Sequence, residues 1–338
     1  MNIPTVTHNG ISFINLKKPT EEEIKFLNKN FGFSMLNLEV YLYKTQIPKI
    51  ETYKDYSLLV MDIPFITQSA KARREKQTNK PFFIPNVISS KVALPIFPKS
   101  PRKKRISVGE VDFFIGKDYV VVLHDESTPQ IDELFDMCKI TEKNRDELMG
   151  KGSVYLLYRI IDVLVDASFS YIEDITTTID YIDRQLEDSS SASVIEDISM
   201  TRRNIVVFET MIKPALPIFA DLEKGKYKEL NGEMMPYWSN ILDHLQKIWE
   251  RLEDNKELIA GIALSNEAIL SNRSNELVKF FTVLTAMMFP FVIVNNLYSM
   301  NVKGLPFANE PWIVWVLFLV IFAGGIVVVA YFKYKDWL

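Results

Sequence analysis

The chain has 338 residues, with 39 Lys and Arg against 43 Asp and Glu and a formal net charge of −4. That balance argues against a nucleic-acid partner, because phosphate binding wants a basic surface. One cysteine, Cys138, and three histidines, His8, His124 and His244, exclude a disulfide framework and a Cys/His zinc site of ordinary spacing. The opening MNIPTVTHNG has neither a basic n-region nor an apolar h-region, so no cleaved signal peptide is expected.

Residues 1–148 read as an α/β domain. Branched, apolar runs at Ser57–Ile63, Val111–Ile115 and Tyr119–His124 predict strands, with Gly116-Lys117-Asp118 as a tight turn between the last two. Helices are predicted at Thr20–Lys29, where Thr20 caps and Glu23 follows three residues on, and at Pro129–Met137. Between Gln68 and Arg105 the chain is basic, Pro-containing and aperiodic and reads as a long loop (68–105). Its Arg102–Arg105 cluster is either a solvated loop or a contact to anionic lipid headgroups.

Residues 150–232 read as an antiparallel helical hairpin. Leu157, Ile161, Leu164, Ser168, Tyr171, Ile175, Ile179, Ile182 and Leu186 recur at spacings of three and four. Ser189–Ser193 makes a turn, and a second helix from about Val194 to Leu222 is expected to be interrupted by Pro214 and Pro217. The outer face is acidic, with Glu173, Asp174, Asp180, Asp183, Glu187, Asp188, Glu196 and Asp197. Such a run is either a solvated face or a field that gathers cations.

From Pro236 the apolar stripe resumes and does not stop: Trp238, Ile241, Leu242, Leu245, Ile248, Leu252, Ile259, Ile262, Leu270, Leu277. Residues 236–299 thus form one helix on the order of 95 Å long, which needs partner helices to cover it. Its end, about 280–298, and a second stretch, 312–332, are each ~20 apolar residues, enough to cross a hydrocarbon core of ~30 Å. The loop 300–311 between them is too short for a domain. LFLVIFAGGIVVVAYF carries no charge, which argues against a soluble core hairpin. Arg273 and Lys279 precede the first span, and Lys333 and Lys335 lie in a basic tail, 333–338. The positive-inside rule then puts both termini and the N-terminal mass in the cytoplasm of a plasma (inner) membrane protein.

In heptads, Asn275, Thr282, Phe289 and Asn296 fall on one line of the first span and Val278, Thr285, Val292 and Ser299 on the next. Amides and hydroxyls in lipid belong toward a bundle interior or water. The stripe is compatible with helix–helix hydrogen bonding and with rings of polar groups and constrictions lining a pore.

Ser271-Asn272-Arg273-Ser274-Asn275-Glu276, then Val278-Lys279, Thr282, Pro290 and Tyr298-Ser299-Met300-Asn301, followed by a second span and Asp336-Trp337-Leu338, resemble the CorA family of divalent-cation transporters. Asp243-His244-Leu245, Glu257-Leu258 and Gly261 match its stalk, Arg202, Arg203 and Pro214 its hairpin, and Val111–Val122 its α/β domain. The resemblance implies an α+β membrane protein. A cytoplasmic α/β domain, a long hairpin, and a stalk helix continuous with the first span precede the second span in a funnel-shaped homopentamer in membrane lipid.

The implied function is passage of Mg²⁺, both transported and regulatory, with no organic cofactor and with Co²⁺ as a related cargo. The implied selectivity filter is Tyr298, Ser299, Met300 and Asn301, with Asn301 receiving the hydrated ion and Asn275 forming an inner polar ring. Neutral amide oxygens suit Mg²⁺, which sheds water reluctantly. The implied pore lining is Asn275, Val278, Phe281, Thr282, Thr285, Phe289, Val292 and Asn296, the two phenylalanines forming a tight gate. Pro290 fits the family's helix kink.

Three departures stand out. The motif glycine is Ser299, which distorts the mouth if that position needs positive φ and changes little if it is helical. Asn295 and Asn296 add amides below the mouth. A stalk position acidic in some members, where it joins intersubunit Mg²⁺ sensing, is Asn240, with Asp243 a turn away as a substitute. A Zn²⁺, Co²⁺ or Ni²⁺ transporter, proton-coupled or not, and a non-conducting membrane scaffold or sensor stay open as alternatives. An enzyme is the least supported class: Gly150-Lys151-Gly152-Ser153 lacks phosphate-loop spacing and there is no HExxH.

Overall fold

The structure is a computed structural model that describes residues 3–43, 47–68, 104–188, 192–300 and 311–335. The chain divides into two compact units, Met1–Ala263 and Leu264–Leu338.

The first unit is built on one six-stranded sheet. Its strands are β1 (Thr5–His8), β2 (Ile11–Lys17), β3 (Lys49–Thr52), β4 (Ser57–Gln68), β5 (Lys104–Ile115) and β6 (Tyr119–His124), in the order β1-β2-β6-β5-β4-β3. Only β2 and β6 run parallel. The helices α1 (Glu21–Phe31) and α2 (Met35–Tyr43) lie between β2 and β3 in sequence. Their Ile24, Leu27, Leu38 and Tyr41 bury one face of the sheet with Ile14, Leu16, Leu58, Val60, Phe114, Val121 and Leu123. The intervening side chains point the other way. Phe13, Leu59, Phe113, Val120 and Val122 are fully buried there, beneath α3 (Pro129–Ile140), α5 (Ser153–Asp188) and α6 (Ala192–Glu223). Phe13 meets Phe135 of α3 edge-on at 5.0 Å. Covering on both faces explains why β5 ends in a run of seven buried residues and does not alternate.

Local signals behave as their chemistry requires. Thr20 and Glu23 form a reciprocal capping box on α1, and Gly32 closes it at φ 69°. The turn between β5 and β6 is closed by Gly116 N–H donating to Tyr119 O at 3.0 Å. Ser153 Oγ donates to the carbonyls of Gly116 (2.7 Å) and Lys117 (3.1 Å), tying the start of α5 to that turn.

Several expectations are corrected. The sequence pattern does not single out the strands β1, β2 and β3 or the helices α2 and α4 (Glu142–Met149), which the structure adds. The strands β4 and β5 pair over their full length, from Ser57↔Ile115 to Gln68↔Lys104, so Gln68, Lys104 and Arg105 are strand and not loop. Lys104 is ion-paired to Asp174 of α5 at 2.6 Å. The rest of the basic stretch, 69–103, lies outside the described residues. Pro214 and Pro217 do not interrupt α6. Each removes one backbone donor, but Met211, Ile212, Ala215, Ile218 and Phe219 around them are buried, and that packing holds the helix.

The long helix α7 (Met235–Ser299) is continuous, with Pro290 inside it. Its first part is bolted to the hairpin. Trp238, fully buried, donates from Nε1 to Leu230 O at 3.0 Å. Asn255, 3% exposed, donates to Thr176 Oγ1 of α5 at 3.1 Å. Lys256 reaches Glu209 of α6 at 2.8 Å.

Asp62 of β4 faces Glu110 of β5 across the ladder. Burial pushes its carboxyl from 3.8 up to about 6. A carboxyl with a raised folded pKa favours the folded chain while protonated. That contribution is complete below about pH 3.8 and is lost as pH rises through about 6. Asp62→Asn is therefore expected to raise the melting temperature by about 2–4 °C at pH 8, with the gain vanishing toward pH 4. Thermal unfolding of the detergent-solubilised protein across this range checks it; a pH-independent gap would count against it.

Candidate functional site

The second unit consists of the end of α7 and α8 (Pro311–Tyr334). Both helices are long and apolar enough to cross a membrane, and none of either apolar window is buried within the chain. Phe281, Phe289, Leu319 and Val320 are each at least 60% exposed, a surface that water does not tolerate. The two helices touch. Phe291 stacks on Phe318 at 5.5 Å, and a Cβ placed on Gly325 would stand 3.3 Å from Met287 Cε, so glycine permits the close approach.

The side of α7 that meets α8 is defined by its half-buried residues: Val283, Met287, Pro290, Phe291, Val294 and Tyr298. At about 100° per residue these span a sector of about 100°. Asn275, Val278, Phe281, Thr282, Thr285, Phe289, Val292, Asn296 and Ser299 are all exposed and fall within about 120° on the opposite side. The polar stripe is thus left open, facing away from the second span. Met300 falls on the stripe by the same count, but Tyr298 does not: it lies on the side of α8. Asn301 and the loop to 310 lie outside the described residues.

The hydroxyls on the stripe are already committed. Thr282 Oγ1 donates to Val278 O (2.7 Å), Thr285 Oγ1 to Phe281 O (2.8 Å) and Ser299 Oγ to Asn295 O (2.7 Å). Each spends its proton inside the helix and turns oxygen lone pairs outward. Ser299 is the last residue of α7, and among the described residues only Asn9 and Lys18 are non-glycine positions with positive φ. The motif position is helical, so serine is accommodated without strain.

A second cluster joins α5 to the start of α7. The carboxylates of Asp162 and Asp166 and the imidazole of His244 place one ligand atom each within 4.8 Å of one another. Asp166 Oδ1 lies 3.2 Å from His244 Nδ1, which makes no well-aligned hydrogen bond. Asn240 Nδ2 donates to Asp162 Oδ1 at 3.4 Å, and Arg159 approaches the same carboxylate at 3.7 Å. Burial raises the pKa of Asp162, and the neighbouring Asp166 raises it further, against the pull of Arg159 and His244. Burial and the like charge of Asp166 both work against ionised Asp162, and a bound cation would favour it.

An octahedral Mg²⁺ with bonds of about 2.1 Å places its ligands roughly 3–4.2 Å apart, within a small side-chain movement of the present set. Asn240 lies beside this cluster through its hydrogen bond to Asp162, and Asp243 is exposed and outside the three-residue set. Asp162 and Asp166 were legible only as an i,i+4 carboxylate pair on one helix face. Nothing in sequence brings that pair to His244.

A soluble α/β unit with a helical hairpin, followed by two membrane-crossing helices of which the first carries an open polar stripe, defines the class: a two-span membrane protein. The family model described as CorA-like Mg²⁺ transporter protein matches residues 90–334, and the chain belongs to that family. It is similar to the cobalt/magnesium transport protein CorA of Thermotoga maritima, 23% identical over 309 residues, covering 91% of this chain and 78% of that protein. It is 18% identical over 329 residues to the CorA protein of the same description from Methanocaldococcus jannaschii, covering 96% and 91%. The fold matches the complete structure of the M. jannaschii CorA magnesium transporter with a TM-score of 0.72 at 17% identity, over 98% of this chain and 94% of that one.

If the stalk cluster binds a divalent ion, Mg²⁺ or Co²⁺ at a hundred times its dissociation constant stabilises the fold by about 2.7 kcal/mol. The double variant Asp162→Asn, Asp166→Asn is expected to fold, to melt no lower than the wild type without added ion, and to lose the ion-dependent rise in melting temperature. Retention of the full rise would place the ion elsewhere.

Proposed function

We propose that this protein conducts hydrated divalent cations, Mg²⁺ first, through a pore lined by the open stripe of α7 in a homopentamer set in membrane lipid. The observation that carries this reading is the opposition of the two faces of α7. One packs on α8, while the other strings Asn275, Thr282, Thr285, Asn296 and Ser299 along a helix with no other use for them. In hydrocarbon such groups need partners, and copies of the same helix around an axis would turn each one into a ring. The names of the relatives, cobalt/magnesium transport proteins, support the choice of ion.

The rings alternate with Val278, Phe281, Phe289 and Val292, which constrict and dewet the path. Asn301 stands two residues beyond the end of α7 and takes the role of the external selectivity ring, with Asn275 as the inner one. Both termini face the cytoplasm in this reading, which the placement of Arg273, Lys279, Lys333 and Lys335 supports. Cytoplasmic Mg²⁺ held at Asp162 and Asp166, near Asn240, regulates opening by binding one conformation better than the other.

His244 in that cluster favours one second reading, a borderline metal such as Co²⁺, Ni²⁺ or Zn²⁺ as regulator or cargo, since imidazole suits those ions better than Mg²⁺.

Flux into liposomes containing the purified protein tests the proposal, with Mg²⁺, Co²⁺, Ni²⁺ and Zn²⁺ compared with and without a pH gradient. Mg²⁺ entry driven by voltage alone is the expected result; Zn²⁺ entry that follows the proton gradient would move the cargo assignment to the second reading. Asn301→Ala is expected to abolish Mg²⁺ entry in a folded assembly. Phe289→Ala is expected to raise basal flux several-fold, and an unchanged rate in folded protein would remove the constriction from that position.

A further inference from the structure

The stretch Gly150-Lys151-Gly152-Ser153 lacks the spacing of a phosphate loop, yet in the folded chain it leads into the wall of a cleft of about 920 Å³ in the first unit. That volume lies in the range of small-molecule sites, roughly 300–1,000 Å³. Three cationic side chains line the cleft, Lys54, Lys117 and Lys151, and all three are exposed. Gly152 sits at φ 109°, a conformation that favours glycine, and its carbonyl accepts from Leu156 N–H at 3.1 Å. The amides of Ser153, Val154 and Tyr155 therefore precede the ladder of α5, and Gly152 has no side chain to cap them. Ser153 Oγ is turned to the carbonyls of Gly116 and Lys117, which brings Lys117 to the same place.

Two aromatic rings stand next to these cations. Tyr155 of α5 and Tyr237 of α7 meet edge-on with centroids 5.4 Å apart. Lys151 Nζ lies 4.8 Å from the centre of the Tyr155 ring and 5.7 Å from that of Tyr237, and donates to Tyr237 Oη at 3.3 Å. Both rings are half-buried, and a cation–π contact made by an exposed lysine is a weak hold. An anion between Lys151 and Lys117 would draw the ammonium off the rings and leave them to a planar group. Asp55, Glu229 and Glu233 line the same cleft and supply acceptors for hydroxyl and amino donors. A bare phosphate would use only the cations, and an apolar molecule only the rings.

We infer that this cleft binds a nucleoside phosphate, with its phosphates against Lys117, Lys151 and the first turn of α5 and its base against Tyr155 and Tyr237. The sugar hydroxyls and the amino groups of the base meet the carboxylates. The cleft lies wholly in the first unit, so its ligand is independent of the conduction path. Tyr237 belongs to α7, and Glu229 and Glu233 to the link before it, so the ligand bridges the sheet and the root of the long helix.

Calorimetric titration of the full-length protein in detergent tests this, with ATP, GTP, UTP, adenosine and inorganic triphosphate as probes. EDTA is present throughout, so that divalent ions at Asp162 and Asp166 contribute nothing. At least one nucleotide is expected to bind saturably, with adenosine and inorganic triphosphate each at least about tenfold weaker. Lys151→Gln is expected to raise the dissociation constant of that nucleotide about tenfold, and Lys151→Arg to stay within about threefold of the wild type. The double variant Lys117→Gln, Lys151→Gln is expected to lose binding while its melting temperature without ligand is unchanged, since both lysines are exposed. Tyr155→Leu is expected to bring the nucleotide down to the level of inorganic triphosphate. Three results would each overturn the inference: no saturable binding of any nucleotide up to about 10 mM, inorganic triphosphate binding as tightly as the nucleotides, or an unchanged affinity in the double lysine variant.

Discussion

A polar side chain surrounded by hydrocarbon must find a partner or water, and this requirement organises the C-terminal unit. The helix α7 carries Thr282, Thr285, Asn296 and Ser299 into a stretch whose other residues are mostly apolar, with Asn275 just before it. The hydroxyls meet the requirement in part by donating to carbonyls four residues back. That leaves their oxygens, and the amides, still to be satisfied. The second span does not do it, because α8 packs on the other side of α7 through Phe318 and Gly325. In the proposed reading, this open face would line a water-filled path through an assembly, its hydroxyl oxygens and amide carbonyls offering acceptors to a hydrated cation.

The soluble unit has a comparable tension in another place. The first part of α7 is anchored to the hairpin by apolar burial around Trp238 and by the buried Asn255–Thr176 contact. Between these anchors, Asp162 and Asp166 are brought against one another, with Tyr158, Arg159, Asn240 and His244 near them. The partial burial of Asp162 and the charge of the exposed Asp166 beside it both work against ionised Asp162, and a bound divalent cation would favour it. In the proposed reading, such a cluster would respond to ion concentration through differential affinity, with no need for a high-affinity cage.

The serine in the motif shows how a departure from a family pattern is judged by conformation and not by residue type. A glycine can be present for its φ or for its lack of a side chain. Ser299 closes α7 as a helical residue, so the first reason does not apply, and its hydroxyl makes a hydrogen bond that glycine lacks. The same reasoning covers Pro214 and Pro217, which break helices in isolation and sit inside α6 because the surrounding side chains are buried.

The sequence by itself determined the features that repeat with a regular period or stand as runs: α5 and α6, the unbroken α7, two spans, the capping box of α1, and the polar stripe with its Ser-Met-Asn ending. These are local, since hydropathy and helical phase depend only on spacing along one element. Tertiary structure decided what depends on residues far apart in the chain. It completed the sheet, adding β1, β2 and β3, whose places are set by the neighbours they pair with. It assigned Lys104 to a strand and to Asp174, and it separated Tyr298 from the stripe. It also set His244, and not the neighbouring Asp243, beside Asp162 and Asp166, because two adjacent helix positions point about 100° apart and only the packing of α7 against α5 selects which one meets that pair.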